Sequence, residues 1–221
     1  MNNNELIITL IFAAIAAFVL FKLRSVLGRR TGHEQQRDVF GRDSGTGSAP
    51  DNVVSLPERG SHQTVDIEPN SPVAVGVADI QAVDAAFDPG EFLDGAKAAF
   101  KMIVTAFAEG ARETLEPLLG ADVYASFDAA IAEREKNNET MALTFAGFKS
   151  ADITQARLDD HEARVTVKFV TEQSSTVTDA AGNVVDGDPN EVAVVTDVWT
   201  FARDTRSRDP NWQLVETDTS E

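Results

Sequence analysis

Hydrophobic positions fall into three regimes along the chain. Leu6 to Phe21, LIITLIFAAIAAFVLF, is an apolar run with no charge and one hydroxyl, Thr9. Extending it past Lys22 to Leu23 gives 18 residues, about 27 Å of helix, just enough to span a bilayer. From about residue 29 to 72 the chain is rich in Gly, Ser, Pro, Asp and Arg, as in GRDSGTGSAPDN and PERGSHQ. Short apolar breaks such as Val53-Val54-Ser55-Leu56 cannot build a core there. This stretch reads as a disordered polar tether of about 50 residues with an r.m.s. span of roughly 40 Å.

Periodicity returns near Ile80. Asp88-Pro89 supplies an N-cap followed by proline at the first helical position, and Glu91 places a carboxylate at the positive end of the helix dipole. Phe92, Ala96, Phe100, Ile103 and Phe107 then recur at helical spacing, with Leu93 and Val104 widening the stripe, until Gly110. Arg112 to Leu119 is predicted as a short second helix and Asp122 to Glu135 as a third. After Asn137-Asn138 the period becomes two. Met141, Leu143 and Phe145 alternate in one strand and Val165, Val167 and Phe169 in the next; Val192 to Phe201 and Trp212 to Val215 follow. DAAGNVVDGDPN and RDTRSRDPN are turns. Helices first and strands afterwards, without βαβ alternation, predict an α+β fold, an antiparallel meander with helices on one face. The expected organisation is an anchor at 1–28, a linker at 29–78 and a folded domain at 79–217.

Charge sharpens the picture of the first segment. The chain has 221 residues and a net charge of −17, yet residues 1–50 sum to +2, leaving −19 for the rest. Lys22, Arg24, Arg29 and Arg30 form a basic flank, while the preceding MNNNE has no basic side chain. A cleavable signal peptide needs a basic n-region, and Phe18 to Phe21 continues the apolar stretch beyond Ala14-Ile15-Ala16. A buried core helix would be followed by packing partners rather than a polar tract. The favoured reading is a single-span anchor. Leu6, Ile7, Ile8, Leu10, Ile11, Phe12, Ile15, Phe18, Val19, Leu20 and Phe21 would face lipid, with everything after residue 24 in the cytoplasm by the positive-inside bias. The acidic body would repel nucleic acid.

Recognisable chemistry is scarce. Cysteine is absent, which excludes disulfides and thiolate sites, and the histidines at 33, 62 and 161 are widely spaced. No phosphate-binding loop, dinucleotide fingerprint, zinc-protease or nucleophile-elbow motif occurs. His161, among Asp159, Asp160 and Glu162, reads as a solvated turn residue. Asp186, Asp188, Asn190 and Asp197 have calcium-loop spacing, but Glu191 stands where that loop needs glycine, which favours a carboxylate-solvated turn. Asp197 shares a strand face with Trp199 and Phe201, where burial would raise its pKa. It is the best-placed base should the domain be an enzyme, and the bland alternative is a side chain held at an interstrand bend. Arg203, Arg206 and Arg208 would either cluster as a local lipid-binding patch or pair with Asp204 and Asp209. No cofactor is expected.

Phe87 to Phe100, then Ile103, Phe107, Leu115 and Leu118-Leu119, resemble the helical half of the C-terminal domain of the mitochondrial import-motor tether, a peripheral subunit of the presequence translocase. Asp197-Val-Trp-Thr-Phe-Ala-Arg203 with Asp209-Pro-Asn-Trp-Gln-Leu214 resembles the closing strand pair of that domain. The motif residues are Phe92, Leu93, Ala96, Phe100, Ile103, Phe107, Trp199, Phe201, Arg203, Trp212 and Leu214. Anchor, tether and domain together are similar to the bacterial TimA-type adaptors of that family. The resemblance implies a nuclear-transport-factor-two-like (cystatin-like) cone, a curved antiparallel sheet wrapped on a long helix. It also implies non-catalytic adaptor work at the bacterial inner membrane. The expected partners are the lipid bilayer, through the N-terminal helix, and unidentified inner-membrane or membrane-associated proteins. A small-ligand-binding or isomerase/hydratase-like enzyme of the same fold is the alternative.

Overall fold

The structure, a computed structural model, describes residue 65 and residues 67–189 and 191–219. The expected anchor and its basic flank, and the linker before residue 65, lie outside the described residues. Among the described residues no helix is long and apolar enough to cross a membrane.

The first helix, α1, runs Pro72–Val83, so the folded unit begins inside the segment expected to be linker. Pro72 sits at the first helical position, and the Ser71 side chain accepts a hydrogen bond from the Ala74 amide at 3.1 Å. Gly76, Val77 and Ile80 form its buried face. A Cβ on Gly76 would lie 1.8 Å from the carbonyl oxygen of Ala156, so glycine is what lets the helix backbone touch the sheet. The local signal is faint because one contact residue has no side chain and the cap resembles linker composition.

The long helix α2, Pro89–Glu109, follows the sequence reading closely. The Asp88 carboxylate accepts from the Glu91 amide at 2.8 Å, and Gly110 closes the helix in the left-handed conformation at φ 71°. Helix α3 is one turn, Arg112–Leu115, shorter than expected because Pro117 cannot continue the amide ladder. Leu119 instead forms an isolated bridge with Leu214, the Gly120 amide donating to the Leu214 carbonyl at 2.8 Å. Helix α4, Ala121–Lys136, returns alongside α2. Its Arg134 guanidinium donates to the carbonyls of Phe107 and Ala108 at 2.8 and 3.1 Å and lies over the Phe107 ring, tying the two helices together where α2 exposes its last carbonyls.

The strands are β1 Thr140–Asp159, β2 Glu162–Thr178, β3 Val184–Gly187, β4 Ala193–Asp204 and β5 Gln213–Thr219. They form one antiparallel sheet in the order β1-β2-β4-β5, with β3 also on β2. The fold is thus α+β, as expected. Strand β1 is far longer than its visible alternation, because register shifts at Phe145/Gly147, Phe148/Ser150 and Ile153/Gln155 insert extra residues. Each shift resets the period, so that Phe145, Phe148, Ala151, Ile153 and Ala156 pair with Gln173, Thr171, Phe169, Val167 and Val165, the inward residues of β2. Such bulges also increase local twist, which suits a sheet laid over a helix. Phe100, Ile103, Leu115, Ile131, Val165, Val167, Phe169 and Leu214 are fully buried at the centre of the core. His161, as expected, is exposed in the tight β1–β2 turn.

Candidate functional site

The inward face of the sheet is built by alternation. On β2, Val165, Val167 and Phe169 point at α2; on β4, Phe201 and Trp199 do so, opposite Val165 and Val167 in register. Phe100 packs against Trp199 and Phe169 with ring centroids 4.4 and 4.7 Å apart, and its other neighbours are Phe145 and Phe148. A second cluster joins Phe92, Phe87, Trp212 and Phe201. The motif residues Phe92, Leu93, Ala96, Phe100, Ile103, Trp199, Phe201 and Leu214 are buried, and Phe107 and Trp212 pack against them half-buried. Their positions are those of core residues. The aromatic wall therefore faces helix α2.

Continuing the alternation past Phe169 and Trp199 changes the chemistry. Asp197 lies opposite Phe169, and Thr171 and Gln173 lie opposite Val195 and Ala193, so three polar side chains follow the aromatic wall on the same face. Burial pushes the Asp197 carboxyl up to about 6, because the charged form loses solvation. Among the described residues, no hydrogen bond or ion pair satisfies that carboxylate. Oγ1 of Thr171 and Oε1 of Gln173 are likewise buried without a partner. Sequence reasoning found Asp197 but not Thr171 or Gln173. The signal was present as a strand whose inward positions turn from Val-Val-Phe to Thr-Gln.

The other sequence-level candidates separate. Asp186 lies in β3 and Asp197 in β4, so the ends of the calcium-loop spacing belong to two strands; Asn190 is outside the described residues. Arg203 turns inward to Asp84 and stacks over Trp212 at 5.2 Å. Arg206 pairs with Asp204 at 3.1 Å, while Arg208 is exposed. The three arginines therefore do not form one patch.

Against known families, the Tim44-like domain model matches residues 73–219. The chain belongs to the Tim44-like domain family. The match takes in every strand and nearly all of α1, and it contains both segments on which the resemblance to the import-motor tether rests. Within this Tim44-like domain the Asp197 corner lies at the far end of the aromatic wall from Trp212. Among solved structures, the chain is similar to the intermembrane space region of the chloroplast protein ARC6, with a TM-score of 0.43 and 13% identity. That likeness covers 57% of this chain and 95% of the other. No curated protein matches the sequence.

Proposed function

We propose that this protein is a membrane-anchored, non-catalytic adaptor that presents its Tim44-like domain at the cytoplasmic face of the bacterial inner membrane. The observation that carries this reading is the order along the chain. An uncharged apolar run at 6–21 is followed by Lys22, Arg24, Arg29 and Arg30, a polar tract, and then the domain matched at 73–219. Family members related to translocation tethers do this kind of work, and an anchored domain needs little intrinsic affinity. A polar tether of about 50 residues would hold it at an effective concentration of roughly mM near membrane partners. The full chain, affinity-purified from solubilised membranes, is expected to co-isolate a specific inner-membrane protein. It is expected to lose that protein when residues 6–23 are deleted. Recovery of no specific membrane protein counts against the reading.

One observation favours a second reading, a ligand-binding or isomerase/hydratase-like domain with Asp197 as its base. The raised Asp197 pKa is the kind of tuning a general base needs. Asp197→Asn abolishing the cellular phenotype of the protein while the domain stays folded and membrane-bound would favour this reading. An unchanged phenotype would dispose of it.

A further inference from the structure

Three polar groups on the inward face of the sheet meet no donor among the described residues: the Asp197 carboxylate, Oγ1 of Thr171 and Oε1 of Gln173. They lie together. Phe169 is opposite Asp197, Thr171 opposite Val195 and Gln173 opposite Ala193, so the three groups form a line across two adjacent strands. Asp197 and Thr171 are diagonal neighbours, a separation of roughly 7 Å. The last described pairing of β5 is Thr219 with Asp197, so among the described residues β4 from Ala193 to Thr196 pairs with β2 alone. This is the place where the inward face approaches the sheet's edge.

The chemistry of the set is one-sided. A carboxylate and an amide oxygen accept hydrogen bonds and donate none; the threonine hydroxyl can do either. Thr171 is fully buried, and a buried hydroxyl without a partner costs about 1–3 kcal/mol. What the corner lacks is a donor. Its walls add a second preference, because Phe148 sits opposite Thr171 and Phe145 opposite Gln173 across β1–β2. The two rings contact each other at 4.9 Å and pack on Phe100. Aromatic faces attract cations and cover apolar groups.

We propose that this corner binds a protonated amine or a guanidinium carrying an apolar group, its N–H donors on Asp197 and Thr171 and its carbon body against Phe148, with Gln173 and Phe145 one step further along the same face. A neutral donor would forgo the charge-assisted bond to the carboxylate. An anion would meet that carboxylate within a strongly acidic domain. The cation has two sources, a free organic amine or a basic side chain presented by a partner protein. The proposal is independent of the membrane anchor.

The test uses the full chain in detergent near neutral pH, with binding followed by calorimetry and ligand-observed NMR. The probes are benzylammonium, its neutral counterpart benzyl alcohol, the anion phenylacetate, and a capped Leu-Arg-Leu peptide. Benzylammonium is expected to bind at least about tenfold more tightly than benzyl alcohol, and phenylacetate not at all. Asp197→Asn is expected to erase the preference for the cation. Thr171→Val, which keeps the shape, should weaken it about fivefold. Should Asp197→Asn fail to fold, as judged by near-UV circular dichroism, Thr171→Val carries the test, and Gln173→Met, one step further along the face, should change affinity less than Thr171→Val does. Peptide binding, with or without benzylammonium, identifies a partner's side chain as a source, and binding of benzylammonium alone identifies a small free cation. Equal binding of benzylammonium and benzyl alcohol, no binding of either cationic probe, or a cation preference undiminished in folded Asp197→Asn or Thr171→Val would overturn the proposal.

Discussion

The guanidinium of Arg203 on β4 donates to the carboxylate of Asp84, the residue that closes α1. Both side chains are mostly buried, at 16% and 18% exposure, and the guanidinium also lies over the Trp212 ring. One pair thus pins the end of the first helix, strand β4 and the second aromatic cluster together. Removing one partner strands the other's charge, which in buried pairs costs about 3 kcal/mol. Arg203→Met is therefore expected to destabilise the domain by about that amount in urea unfolding. The double variant Arg203→Met/Asp84→Asn should lose less than the two single losses combined; strict additivity would show that the pair is not coupled.

Gly76 and Gly95 make a matched test of backbone packing. A Cβ at 76 meets the Ala156 carbonyl at 1.8 Å, whereas at 95, on an exposed turn of α2, nothing lies within 4 Å. Gly76→Ala is expected to lower stability by about 2 kcal/mol or more through overpacking. Gly95→Ala should raise it by about 0.5–1 kcal/mol by improving helix propensity. Equal effects at the two sites would mean that α1 does not touch the sheet.

Asp197 links stability to pH in a direction opposite to that of a salt-bridged carboxylate. Its pKa rises from 3.8 to about 6 on folding, so its contribution is complete below pH 4. It declines as pH rises through 6, because the unfolded chain releases the proton first. The shift corresponds to about 3 kcal/mol. Asp197→Asn is expected to flatten that decline and to be the more stable form near neutral pH. Parallel stability profiles for the two proteins between pH 4 and 7 would contradict the assignment.

Phe100 is the ring on which β1, β2 and β4 converge, through Phe145 and Phe148, Phe169 and Trp199. Phe100→Ala should cost about 3–5 kcal/mol by lost burial and cavity formation, measured as a fall in the urea midpoint. Met102, exposed on the same helix, is expected to tolerate alanine with a change within about 0.5 kcal/mol.

Legibility followed local physics. Helix α2 was readable because Asp88, Pro89 and Gly110 cap it and its apolar stripe keeps a helical period. Helix α1 was not, since Gly76 packs through its backbone and contributes no hydrophobic side chain to any pattern. In β1 only Met141 to Phe145 stood out, because each bulge beyond shifts the inward positions by one and scrambles the alternation that marks a strand. At the candidate site, Asp197 was legible from its strand neighbours. Thr171 and Gln173 became meaningful only when register set them beside it on the next strand. Arg203 was visible as a motif residue, but its partner Asp84 stands 119 positions away, beyond any local pattern.

The chain contains no cysteine, so a single introduced thiol reports its own location. Ala180 is exposed in the turn after β2 and suits Ala180→Cys. In intact bacterial cells the full chain should sediment with membranes after an alkaline wash. Its thiol should resist a membrane-impermeant maleimide until the cells are lysed. Labelling from outside intact cells, or release of the chain into the soluble fraction, would contradict an adaptor held at the cytoplasmic face.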